Sequence, residues 1–496
     1  LDVHWKSYFT NRFELTEYDS IDLDLIYRFV GVDSLDISGT DSLLDLTPIA
    51  SLRELKYVNL SNTKIDSLAP ISNVTFLESL DLSNSPAKDI QFIKYSDRLR
   101  FLNISNTNVN DISELVNLEK LEELQAENTP VMSFSVLNEF KALKRLNLKN
   151  SGFNNAENIS ELQNLDELDL SQNYLINFSQ LSSLTSLKYL DLSQSNIQDL
   201  APLEGMNELL EVDLTKTEIS DLSPLDGKEK LSKVLADETK LSPTSADNFM
   251  RANPEILLIH HVKDLTAWWE RLSDPWKDAL RDNNPRLSSN DPGIEVLTET
   301  IGLVTLDFSN KGIKTLNPIT RFVKLEEIDF SENEISDLLP LSEVETLKVI
   351  SADNTSVENL DGIKDNEELI ELSFNGSPVK SILPILDLPN LIEISVNEAS
   401  FSVDEVPQIL IKRPELVIMY REDDLRDWWS DLDDEWRREL SRQFEIKGDP
   451  ESSKLHSMTG VSSLSFTNTG IDELSPILKF NNLRSLEIFD APVGSI

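Results

Sequence analysis

The stretch Leu55-Lys56-Tyr57-Val58-Asn59-Leu60-Ser61-Asn62 decides the fold, because it returns as Leu77 to Asn84, Leu99 to Asn106 and Leu187 to Gln194. With the residue at Val58 as marker, the series runs Val58, Leu80, Leu102, Leu124, Leu146, Leu168, Leu190, Val212, Val234, every step being 22 residues. Leu35 precedes it at a step of 23, and Ile256 is read as the next marker at 22. Self-similarity at a fixed short period overrides any domain count taken from length, since the period itself is the structural unit.

Each turn reads L-x-x-L-x-L-x-x-(N/S/T)-x-(I/V/L), followed by a second apolar cluster such as Asp221-Leu222-Ser223-Pro224-Leu225. The alternation Leu168, Asp169, Leu170 is a short strand with period two, its marker inward and its neighbours outward. One turn cannot bury its own leucines, so successive turns must stack and pair their strands in parallel. Five residues after each marker stand Thr63, Ser85, Thr107, Thr129, Ser151, Asn173, Ser195 and Thr217. A short hydroxyl or amide there can hydrogen-bond the backbone leaving the strand. Pro48, Pro70, Pro202 and Pro224 sit where the return begins, the position at which a helical turn accepts proline. The few residues left for that return predict a 3-10 or one-turn helix.

These residues resemble the leucine-rich repeat family, and the D-L-S-P-L return resembles the 22-residue bacterial type of internalin-like proteins. The chain departs from that pattern in carrying Thr or Ser more often than Asn at the ladder position. The resemblance implies an α/β leucine-rich repeat solenoid, with a curved parallel sheet on the concave face and short helical returns on the convex face. It also implies a bacterial source and an exported or cell-surface placement.

A longer period overlies the first. Markers resume at Leu306, Ile328, Ile350, Leu372, Ile394 and Leu416, and again at Leu464 and Leu486. Between blocks, Leu265, Trp268, Trp269, Leu272, Trp276 and Leu280 recur 160 residues later as Leu425, Trp428, Trp429, Leu432, Trp436 and Leu440. Their spacing gives one apolar helical face, and Asp274-Pro275 reads as an N-cap followed by proline. An exposed end of a solenoid must be covered, so Trp268, Trp269, Trp276, Trp428, Trp429 and Trp436 are assigned to structural caps. The expected organisation is a partial connector (1–31), a first block (32–259), a connector (260–302), a second block (303–419), a connector (420–460) and the start of a third block (461–496). On this template the chain begins inside one connector and ends inside a repeat.

Composition removes several chemistries. With 88 acidic against 45 basic side chains and a net charge of −43, the surface repels phosphate backbones and anionic membranes. There is no cysteine, so thiolate metal sites and cysteine nucleophiles are excluded. No phosphate-binding glycine loop or metal-binding histidine motif is present, and no catalytic residue, metal or cofactor is assigned. His260 and His261 follow a strand-like run and are read as one packed and one solvated.

The outward position after the marker forms a column that includes Asp169, Asp191 and Asp213, with parallel neighbours about 4.8 Å apart. Such a strip suits Lys or Arg of a partner, a weak Ca2+ site, or plain solvation. One position before the marker, Tyr57, Phe101 and Tyr189 project outward, and exposed aromatics on a rigid face serve as interface anchors. The sequence therefore points to a non-enzymatic protein-interaction scaffold binding a basic protein partner on its concave face. The alternative is a spacer or assembly subunit contacting sister chains through its connectors and ends.

Overall fold

Three-residue strands, one per turn, build the two main sheets. In a computed structural model of the chain, residues 3–16, 22–43, 45–287, 291–467 and 469–494 are described. The chain divides into two compact units, Leu1–Val262 and Lys263–Ile496.

The first unit opens with helices α1 (Val3–Arg12) and α2 (Leu23–Val30) and continues into an eleven-stranded sheet in strict chain order. Its strands pair in parallel with markers opposite one another: Leu35 with Val58, Leu168 with Leu190, Leu190 with Val212. All of these are buried, and so are inward residues of the returns such as Leu200 and Leu203. Returns are 3-10 turns, and Pro48, Pro70, Pro202 and Pro224 occupy their second positions, inside the first turn, where the N–H has no partner within the turn to lose.

The last turn of the first block departs from the expected spacing. Its return is a full helix, α3 (Pro243–Ala252), whose N-cap Ser242 accepts from Ser245 N. This lengthens the coil, so Val234 pairs with Leu258, at a step of 24 rather than 22. Ile256 is buried but precedes the strand and is not its spine residue.

In the second unit α4 (Val262–Arg271), α5 (Asp274–Asn283) and α6 (Ile294–Ile301) lead into a six-stranded parallel sheet from Thr305–Asp307 to Val417–Met419. The same lengthening recurs there. Helix α7 (Glu405–Lys412) forms the last return, and Ile394 pairs with Ile418 in place of the expected Leu416. Helices α8 (Glu422–Asp431), α9 (Asp434–Gln443) and α10 (Ser452–Thr459) follow, and then a pair of strands with Leu464 opposite Leu486.

The connector tryptophans pack forward. Trp276 donates from Nε1 to Thr315 O at 2.9 Å and meets Phe308 edge-on. Trp436 repeats this with Glu473 O and Phe466. Leu265, Trp268, Trp269 and Trp276 belong to one continuous core with the second block's leucines. Trp429 is buried and Trp428 half-buried. The helix start also differs from the sequence reading: Ser273, not Asp274, is the N-cap, and Asp274 lies inside α5.

The ladder position closes each turn. Thr63, Ser85, Thr107, Ser151, Ser195 and Thr217 each donate to the carbonyl three residues back, at 2.5–2.7 Å. Asn173 does more, its Nδ2 reaching Leu148 O of the previous turn as well as Leu170 O and Ser171 O. Asn333 repeats this in the second block. A buried carbonyl left without a donor costs about 1–3 kcal/mol. Leu148 O keeps Ser151 and Ser171 O keeps Asn150 N, so Asn173→Ala strands Leu170 O and is expected to destabilise by about 1–2 kcal/mol, and Asn173→Thr by clearly less, because a hydroxyl can serve that carbonyl. Urea unfolding measures both. Equal losses would contradict the assignment.

Candidate functional site

The parallel register fixes which side chains share the concave face. Before the markers lie Glu123, Arg145, Glu167, Tyr189, Glu211 and Lys233, one per strand in sequence. After the markers lie Gln125, Asn147, Asp169, Asp191 and Asp213. Tyr189, Asp169, Asp191 and Asp213 thus come together. They line a shallow depression of about 360 Å3 with Arg145, Glu167 and Glu211. Five carboxylates face one guanidinium there, and that guanidinium is engaged, Arg145 Nε donating to Glu123 Oε2 at 2.7 Å. Glu211 has Lys233 at 3.4 Å on its far side.

Tyr189 is 45% exposed at the centre of this depression. Tyr57, 49% exposed, lies six strands away with its hydroxyl 3.5 Å from Glu78. Phe101 lies four strands away and is half-buried. The three aromatics share a face but not a patch. Glu167 and Glu211, the row-mates of Tyr189, were passed over in the sequence reading, although the step of 22 from Tyr189 leads directly to both.

The aspartate column has a second, local task. Oδ1 of Asp36, Asn59, Asp81, Asn103, Asn147, Asp169, Asp191 and Asp213 accepts from the N–H two residues on, at 2.8–3.0 Å. The side chain closes the exit from its strand as an Asx turn. One carboxylate oxygen is spent in this way. Among the described residues no three acidic or histidine side chains converge to hold a metal.

Burial raises the pKa of Asp169 and of Asp213; the hydrogen bonds from Ser171 and Thr215 pull the other way, and the Asp191 charge adds to the rise. A carboxyl raised on folding weakens the native state where it is ionised, and that penalty fades as pH falls through its folded pKa.

His260, His261 and His456 lie outside this depression. His260 and His261 follow the strand that ends at Ile259, and their Nδ1 atoms lie 2.6 Å apart. Both are half-buried, contrary to the opposite-faces reading, because His261 takes a left-handed backbone (φ 47°) that turns it back onto its neighbour. His456 is buried, with Nδ1 against Ser452 O and Nε2 accepting from Tyr420 N. Among the described residues no helix is long and apolar enough to cross a membrane.

A family model for leucine-rich repeats (two copies) matches residues 163–205, the stretch that carries Asp169, Tyr189 and Asp191. No curated protein matches the chain. Among solved structures it is similar to an internalin, InlF, from Listeria monocytogenes (20% identity, 79% of this chain and 94% of that one, TM-score 0.44). It is likewise similar to the functional domain of InlJ from the same organism (16%, 80% of each chain, TM-score 0.43). A leucine-rich repeat protein of Leptospira interrogans is a third (18%, 81% and 100%, TM-score 0.37).

Because Asn stands at the equivalent of Asp169 in other turns, Asp169→Asn keeps the turn acceptor while removing a poorly solvated charge. It is expected to raise stability at neutral pH and to lose that gain in acid. Asp169→Ala leaves Ser171 N–H unpaired and should cost about 1 kcal/mol. Thermal melts at pH 7 and pH 4 test the pair; Asp169→Asn destabilising at pH 7 would contradict the account. The coil period and the parallel spine give this chain the fold of a leucine-rich repeat solenoid with a 22-residue coil, and residues 163–205 match the model of that family.

Proposed function

We propose that the chain is a non-enzymatic interaction scaffold that receives a basic segment of a protein partner at the depression around Tyr189. The observation that carries this reading is the register. It sets Tyr189 between Glu167 and Glu211, with Asp191 beside it and Asp169 and Asp213 flanking. A Lys or Arg head over the tyrosine ring gains cation–π attraction. The carboxylate oxygens left free by the Asx turns can accept charge-assisted hydrogen bonds. The strands are held before any partner arrives, so little ordering opposes binding. The surrounding negative field speeds encounter with a basic partner. Tyr57 and Phe101 are secondary contacts for a partner long enough to follow the face. In keeping with the internalin-like resemblance, an exported or cell-surface bacterial placement is the one proposed.

A lysine-rich octapeptide serves as probe. Its affinity is expected to fall about tenfold between 50 and 300 mM salt, and at least fivefold in Tyr189→Ala and in Asp191→Asn at fixed salt. Tyr57→Ala should change it less. Binding that ignores both Tyr189→Ala and Asp191→Asn would overturn the reading. Self-association in light scattering that is abolished by connector substitutions would favour the assembly alternative.

A further inference from the structure

A second concavity, unrelated to the acidic face, lies wholly within the second unit. It occupies about 570 Å3 where α7 and the strand Val417–Met419 meet α8, α10 and the return Ser475–Lys479. Sites that enclose small organic ligands span roughly 300–1,000 Å3, with largely apolar walls and a few convergent polar groups. The walls here are Val406 and Leu410 of α7, Ile418, Tyr420, Trp428 of α8, and Leu478.

Two features of this cavity bear on what it can hold. Trp428 Nε1 is shielded from solvent and has no acceptor. Its counterpart Trp268, 160 residues earlier, donates to Pro318 O at 3.3 Å. A shielded N–H without a partner costs free energy that a ligand oxygen can restore. The second feature is charge. Many cations of this acidic chain are paired with acids about one coil away, Lys144 with Glu122, Lys188 with Asp166 and Lys348 with Glu326. Arg421 and Lys479, which line the cavity from different elements, have no carboxylate partner among the described residues. Of the two acids on the lining, Glu415 is engaged by Arg413, which leaves Asp424.

We infer that this cavity binds a small amphipathic carboxylate, its hydrocarbon body against Leu410, Ile418 and Trp428 and its head group at Arg421 and Lys479 or on the Trp428 N–H. The assignment shares no residue with the proposed partner face and stands apart from it. The chain's overall charge repels anions, so capture requires both the local cations and the burial of the hydrocarbon body.

Isothermal titration of the full chain with decanoate, and with decan-1-ol as the neutral comparator, tests the inference. Saturable one-to-one binding of decanoate is expected, with the alcohol about fivefold weaker. Trp428→Phe keeps the ring and removes the donor, and Lys479→Gln removes one cation; each should weaken decanoate several-fold with an unchanged circular dichroism spectrum. Leu410→Trp, which fills the cavity, should abolish binding. Should Leu410→Trp fail to fold, the two milder variants decide. The inference is overturned if the wild-type chain shows no saturable binding, or if decanoate binds both milder variants as tightly as wild type.

Discussion

Every feature of this molecule depends on parallel pairing between strands only three residues long. So short a strand makes few hydrogen bonds of its own, and the coil holds because each turn also locks its exit onto the next. The residue four after the marker takes a left-handed backbone throughout, from Asn62 and Asn84 to Gln172, Gln194 and Lys216. That conformation aims its N–H at the following coil: Asn62 N donates to Ser83 O and Gln194 N to Thr215 O. After glycine, asparagine tolerates it best, and it fills the position in five consecutive turns, from Asn62 to Asn150. The hydroxyl or amide one residue later then satisfies the carbonyl left behind. Leucine burial supplies the driving force, while these polar closures select the 22-residue geometry.

One consequence is that the atoms that close the coil are also the atoms that line the hollow. The Asp column lines the hollow because it follows the marker, and it tolerates burial because one oxygen closes a turn. Asparagine would serve the fold equally well, as it does at Asn59, Asn103 and Asn147. Three consecutive aspartates at 169, 191 and 213 are therefore more charge than the coil needs. Just outside the strands, the column two before the marker is partly neutralised by Lys144 on Glu122 and Lys188 on Asp166. The excess negative charge thus concentrates around Tyr189.

Much of this was legible in the sequence because leucine spacing, return prolines and ladder hydroxyls are local signals repeated many times. The misreadings came where a non-repeating element intervened. Ile256 and Leu416 lay on the period, but a true helix needs more backbone than a 3-10 turn, and the spine passed to Leu258 and Ile418. His261 escaped because its side-chain direction depends on a positive φ that no spacing reveals. Glu167 and Glu211 were readable from their rows and were missed because the aromatic and acidic columns were read separately. The cavity at Trp428 could not have been found in this way, since its walls come from α7, α8, α10 and a later return, far apart in sequence.

The absence of cysteine from the chain offers the most direct test of the coil. Cysteines at Glu167 and Tyr189, opposite one another in register, should come within disulfide reach, which requires Cα atoms about 4.4–6.8 Å apart. The account predicts rapid intramolecular oxidation of that pair and none between Glu167 and Asp213, two strands removed. Efficient closure of the 167–213 pair, or failure of the 167–189 pair in a folded chain, would contradict it.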